Sequence, residues 1–186
     1  MASFLFALLL VFAASLGGRD QWLVARFSDA LGQSLPLLLT GMASAALLAG
    51  VMAWVGAGFA AQLPARAAQM LVAFALALAA AELAWPVKSA APQEPTRSLG
   101  AFAIVLAARQ VGDAARFAVF ALAAQASLPA TAALGGALGG AGAIALGWTL
   151  GGEGLARWPL PIIRRVLAAC LLVAAIITGL GARYGA

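Results

Sequence analysis

Ser15-Leu16-Gly17-Gly18-Arg19-Asp20-Gln21 is a polar, glycine-broken stretch set inside a long apolar run. Ninety-five residues later, Gln110-Val111-Gly112-Asp113-Ala114-Ala115-Arg116 does the same, again with an aspartate close to a glycine. The two stretches read as one element used twice, and the rest of the chain is arranged around them.

The solvent follows from composition. The chain is 65% hydrophobic and 9% charged, whereas soluble domains carry about 25% charged residues. That balance indicates an integral membrane protein. Inside a bilayer every backbone group must be paired within a helix or a closed barrel, and these runs are continuous and rich in Ala and Leu, not alternating, so helices are expected. A span takes about 20 apolar residues, which leaves room for roughly six helices and almost no soluble domain.

The net charge of +5 is carried mostly near segment ends. There it reads as topology signals and headgroup anchors, not as a nucleic-acid surface. With no histidine and Cys170 as the single cysteine, disulfides and His or Cys metal clusters are excluded. No nucleophile–base constellation is present, so neither enzymatic chemistry nor a cofactor is expected. Phe4 to Ala14 has the length of a signal-peptide core, but no Lys or Arg precedes it, which argues against cleavage.

Read in order, the helices are expected at about Ala2–Phe27, Leu35–Gly58, Ala67–Trp85, Leu99–Ala124, Pro129–Leu150 and Leu160–Leu180, with Gly151–Pro159 as a loop. Gly41, Ala45 and Gly50, and the pairs Gly135/Gly139 and Gly136/Gly140, suit close helix–helix approach. Residues 86–97, with three prolines, Lys88, Gln93 and Glu94, form the one linker. Thr40, Gln69 and Thr149 suit helix–helix hydrogen bonds, Trp54, Trp85 and Trp158 interfacial belts, and Trp22 and Trp148 a cavity lining. Glu82, one turn before Trp85 and Pro86, reads as interfacial.

Shifting the second half back by 95 residues places Gly112 on Gly17, Gly136 on Gly41, Gly151 on Gly56 and Pro159 on Pro64. Residues 1–85 and 98–186 therefore read as two repeats of three helices, the first helix of each interrupted. An odd number of spans makes the repeats inverted. The expected fold is an all-α membrane domain of six transmembrane helices. Lys88, Arg97, Arg157, Arg26, Arg164 and Arg165 fall on one side against Arg66 and Arg183 on the other, so both termini are expected to be periplasmic, in a bacterial inner membrane. Inverted repeats with interrupted helices and mid-membrane polar groups are the pattern of secondary transporters.

The same residues resemble the Gdt-type family, the Golgi calcium and manganese transporters and their bacterial manganese-exporter relatives, which carry a Glu-x-Gly-Asp-Lys-Thr/Ser motif in the first helix of each of two three-helix repeats. Ser15 to Gln21 matches the first motif at its glycine, its basic position and the glutamine after it. Gln110-Val111-Gly112-Asp113 matches the second at glycine and aspartate. Leu155 to Pro161, continuing to Arg164-Arg165, is similar to the family's approach to its last helix. The resemblance covers nearly the whole chain and implies exchange of a divalent cation, manganese or calcium, for protons between the two motifs. The family's two Glu positions are here Ser15 and Gln110, and its first Asp position is Gly18. Only Asp113 remains of four carboxylates.

Asp20 stands two positions from the lost aspartate, a rotation of roughly 200° on a regular helix. The residues this assigns to transport and substrate binding are Ser15, Asp20, Gln21, Gln110 and Asp113, with Asp113 and Asp20 as the metal ligands. Arg19, Arg109 and Arg116 bring three positive charges, which oppose a dication. Arg109 and Asp113 lie at i, i+4, and Asp113 and Arg116 at i, i+3, so one helix face can neutralise itself. Asp113 then reads either as counter-ion or as part of a transport path. Two alternatives stay open: a member that has lost transport and acts as a structural or regulatory partner, and an anion transporter built on the three arginines. Beyond the bilayer, the partners expected are a second copy or a related membrane chain.

Overall fold

A computed structural model describes residues 2–87 and 98–185. The described residues form eight helices: α1 (Ala2–Ser15), α2 (Arg19–Leu31), α3 (Leu35–Gln62), α4 (Ala65–Ala84), α5 (Leu99–Val111), α6 (Ala114–Gln125), α7 (Pro129–Ala156) and α8 (Leu160–Tyr184). No strand occurs among them. The linker expected at 86–97 lies, from residue 88 onward, outside the described residues.

Four helices, α3, α4, α7 and α8, are long and apolar enough to cross a membrane, and α1 with α2 passes the same test only as a pair bent by 64° at its break, the geometry of a broken span or a re-entrant loop. α5 and α6 are each shorter, 13 and 12 residues. The surface completes the case: Leu9, Leu47, Trp54, Phe74, Ile104 and Ile177 are all more than half exposed, while the interior is largely alanine, glycine, valine and leucine. Large apolar side chains facing out over small ones inside suit lipid as solvent, where helices associate by close packing and not by escape from water. The chain is a helical, multi-pass membrane protein.

Both breaks fall where the sequence has them, for different local reasons. Gly17 takes φ +69°, a left-handed conformation that costs an L side chain about 1–2 kcal/mol. Gly18 then turns extended and α2 begins. At the second break Gly112 keeps a negative φ, and Asp113 caps α6 through its side chain, accepting from Ala115 N at 3.3 Å. A single interrupted helix over 99–124 is therefore two helices with a capped start between them.

The interior seam is α3 against α7. Gly41 meets Ile144, Ala45 lies at Gly140 and Ala49 lies near Gly136, so the helices run antiparallel. Under the 95-residue shift Gly41 becomes Gly136, and Ile144 becomes Ala49. The first and last of these contacts thus exchange, and Ala45–Gly140 maps onto itself. α4 and α8 are antiparallel as well: Gly179 packs on Ala73, Arg164 bonds Glu82 and Arg66 lies against Gly185. Gly135 and Gly139 let α1 lie directly on α7, where an added Cβ would stand 2.5 Å from the carbonyl oxygens of Phe4 and Leu8. These contacts put residue 4 beside the first turns of α7 and residue 185 beside the start of α4. Both chain ends therefore sit at one end of the bundle.

Some expected details change. Gly50 has nothing within 4 Å of an added Cβ and faces outward, so the close surface of α3 is Gly41, Ala45, Ala49 and Gly56. Gly151–Pro159 is not all loop. Gly151 kinks α7 at φ +65°, and the helix resumes to Ala156 because Asp29 of α2 accepts from Gly152 N at 2.8 Å, capping the new start. Thr40 and Thr149 bond carbonyls of their own helices, Pro36 O and Leu146 O, which satisfies a hydroxyl facing lipid without a partner helix. Gln69 is exposed.

Candidate functional site

The bend at Gly17–Gly18 and the capped break at Asp113 cross inside the bundle. Three of the five residues assigned to binding meet there, Asp20, Gln110 and Asp113, and Ser15 sits in the turn just before them with its carbonyl oxygen against Gly18; all four are buried. Gly18 is the common floor. A Cβ built on it would stand 2.7 Å from Asp20 Oδ1 and 3.7 Å from Asp113 Oδ1, so both carboxylates flank one position that glycine leaves open. The 200° objection to Asp20 fails because the Gly17–Gly18 turn breaks the regular helical phase, and α2 starts afresh with Asp20 in its first turn.

The polar atoms around this point are partly committed. Asp20 Oδ1 accepts from Gln21 N at 2.8 Å, and Asp20 Oδ2 from Gln110 Nε2 at 3.3 Å. Gln110 Oε1 in turn accepts from Ser44 Oγ of α3 at 2.9 Å. Asp113 Oδ2 caps α6, which leaves Asp113 Oδ1 toward Gly18. The Ser15 hydroxyl is buried and has no hydrogen-bond partner. Gln21 has another task. Its Oε1 accepts from Gly17 N at 2.7 Å and its Nε2 donates to Ala143 O of α7 at 2.8 Å. Reaching back from the first turn of α2 to the preceding backbone, it closes the break in the manner of a capping box, which commits both ends of its amide to the backbone.

The three arginines do not converge. Arg19 leaves Asp20 and bonds Glu82 Oε1 at 3.2 Å, its own side chain half exposed. Arg109 is exposed on α5. Arg116 is fully buried, and none of its three guanidinium nitrogens has a hydrogen-bond partner. Arg109 therefore drops out of the self-neutralising face expected with Asp113 and Arg116, while Arg116 still acts on Asp113 through its charge without a hydrogen bond. The helix ends between residues 109 and 113, so helical spacing does not hold across the break. A shared anion pocket of the three guanidiniums is likewise not formed among the described residues.

Glu82, which the sequence places at an interface, is buried in the bundle. It lies near the end of α4, and Arg164 of α8 donates to its Oε2 at 3.1 Å and to its carbonyl at 3.0 Å. Arg19 bonds its other carboxylate oxygen. The signal available was the basic Arg164-Arg165 pair on the helix that lies antiparallel to α4, but the pairing of those two helices is a tertiary fact. Asp20, Glu82, Arg116 and Arg164 are the charges within electrostatic reach of Asp113. Among the described residues the buried charged side chains are thus three carboxylates and two guanidiniums.

Beside the first break lies a cavity of about 440 Å³, lined by Gly17, Trp22, Trp85, Leu160 and Arg164 among others. Trp22 faces this space as expected. Trp54, Trp85 and Trp158 are exposed. Among the described residues no group of three or more His, Cys, Asp or Glu side chains gathers as a metal cluster. Any cation at the crossing would rest on two carboxylates with neutral oxygens. Comparison with family models, with curated proteins and with solved structures finds no match.

Proposed function

We propose that this chain is a secondary transporter of a small hard cation, exchanged for protons at the crossing of the two helix breaks. The observation that carries the reading is the juxtaposition of Asp20 and Asp113 over Gly18. Two acidic side chains from two separate breaks are brought to one buried point, and an ionisable group inside a membrane domain is costly unless it serves a path or a partner. The guanidiniums of Arg19 and Arg164 are taken by Glu82 and none among the described residues is hydrogen-bonded to Asp20 or Asp113, which favours a cation over an anion at that pair. Asp113 Oδ1, the carboxylate of Asp20 and the unpartnered Ser15 hydroxyl supply oxygen, the donor type that manganese and calcium prefer. These are also the cargoes implied by the Gdt-type resemblance.

The architecture proposed for this exchange is six spans in two inverted repeats, with α5 and α6 together making the span that matches α1 and α2. Helix starts at 19 and 114, 65 and 160 agree with the 95-residue shift, and the α3–α7 seam is unchanged by it, as a two-fold axis in the membrane plane requires. Both chain ends share one side, assigned to the periplasm by the basic residues of the opposite loops.

Proteoliposomes carrying an internal metal dye and an internal pH dye test the reading. Manganese entry should be accompanied by proton exit, and Asp113→Asn and Asp20→Asn should each lower it at least about tenfold, the loss expected when one of two charged ligands is removed. Unchanged manganese flux in the Asp20→Asn, Asp113→Asn double variant overturns it.

A further inference from the structure

We infer that Arg116 is a tethered rival of the transported cation: its guanidinium parks in the α3–α7 seam when cargo sits between Asp20 and Asp113, and swings back to those carboxylates when cargo leaves. The inference rests on the cation reading above and deepens it. A fully buried arginine with three unpartnered nitrogens makes no hydrogen bond where it stands, although its charge already acts on Asp113, and a buried guanidinium is costly unless its donors are also paired somewhere in the working cycle.

Its parking place is built from small residues. A Cβ on Gly140 would lie 3.3 Å from Arg116 Nη1 and 3.6 Å from Nη2, with Ala45 opposite. The partner within reach is Asp113. Arg116 is the third residue of α6, whose cap is Asp113. Its counterpart under the 95-residue shift is Gln21, the third residue of α2, whose side chain does reach back to the preceding break, at Gly17 N. A reach of the same kind, from the third residue of the helix to the residue that precedes its first turn, would carry the guanidinium toward Asp113. Asp113 is also faced by Asp20 from α2, and Glu82 and Arg164 act on it from α4 and α8. Those last two are bonded to each other, and of the two buried arginines among the described residues Arg116 is the one with no hydrogen bond at any guanidinium nitrogen.

A resident positive charge that must be displaced weakens cargo binding and, by the same step, speeds its release. A charge within about 4–6 Å of a carboxylate changes its proton binding by one to three powers of ten, and a competing cation acts on metal binding in the same way. The test titrates manganese chloride, and separately calcium chloride, into the purified full chain in micelles, read by tryptophan fluorescence and by thermal stability. Arg116→Gln should bind at least about tenfold more tightly than wild type, and Arg116→Lys, which keeps the charge, should stay closer to wild type. Gly140→Ala crowds the parking place and should weaken binding by driving the guanidinium toward Asp113.

Equal or weaker binding in Arg116→Gln overturns the inference. If that variant does not fold, unchanged binding in Gly140→Ala overturns it. Should wild type bind, and Asp113→Asn abolish binding, while Arg116→Gln has no effect, the cation site stands and only the role of Arg116 falls. If neither metal binds wild type or Arg116→Gln, both fall.

Discussion

At the scale of single residues, what a side chain can do depends on which of its polar atoms are already taken. Gln21 and Gln110 look alike in sequence, yet Gln21 spends its oxygen and nitrogen on the backbone at Gly17 and Ala143, whereas Gln110 bonds two side chains, Ser44 and Asp20. Glu82 shows the same rule for charge. It holds buried Arg164 and half-exposed Arg19, and the two bonds are unequal. Glu82→Gln leaves Arg164 without its counter-ion and should cost about 3–5 kcal/mol. Arg19→Ala removes a solvent-facing partner and should cost no more than about 1 kcal/mol. Reversible unfolding in mixed micelles measures both, and equal losses would mean that Arg164 is held by something other than Glu82.

At the scale of elements, stability rests on how closely helices approach. α1 lies on α7 across Gly135 and Gly139, with helix backbone almost touching helix backbone. Gly139→Ala puts a methyl 2.5 Å from Leu8 O, an atom that cannot move without displacing α1, and overpacking of this kind costs about 1–3 kcal/mol. Gly50→Ala on α3 meets nothing within 4 Å and should stay within about 0.5 kcal/mol of wild type. The same unfolding assay separates them, and equal effects would contradict the close α1–α7 contact. These two glycines are indistinguishable by local spacing, since Gly50 and Gly139 both stand in runs of small residues. Which face of a helix meets a neighbour is settled only by packing.

At the scale of the whole molecule, the antiparallel α3–α7 and α4–α8 pairs bring both chain ends to one end of the bundle and the Gly32–Ser34 turn to the other. In a Cys170→Ala background, single cysteines at Ser3 and Tyr184 should react with an impermeant thiol reagent from one side of a sealed vesicle, and a cysteine at Ser34 from the opposite side. Labelling of residues 3 and 184 from opposite sides would break the proposed even number of crossings. The exposed tryptophans 54, 85 and 158 suit the two boundaries that such a bundle presents to lipid headgroups.

Much of this was open to a reader of the sequence, because the constraints concerned are local and one-dimensional. Hydropathy alone decides that the chain is helical and in a bilayer, since only helices satisfy their own backbone across such runs. Glycine and aspartate mark the two breaks because their backbone and capping preferences act within one turn. Most of the candidate residues, Ser15, Asp20, Gln110 and Asp113, carried the same legibility. What tertiary structure alone decided is the pairing. Glu82 with Arg164, the retreat of Arg19 from Asp20 and the unbonded guanidinium of Arg116 depend on which helices lie side by side. So does the meeting of Asp20 and Asp113 over Gly18, because charge interactions fall off over a few ångströms and chain spacing says nothing about distance across a bundle.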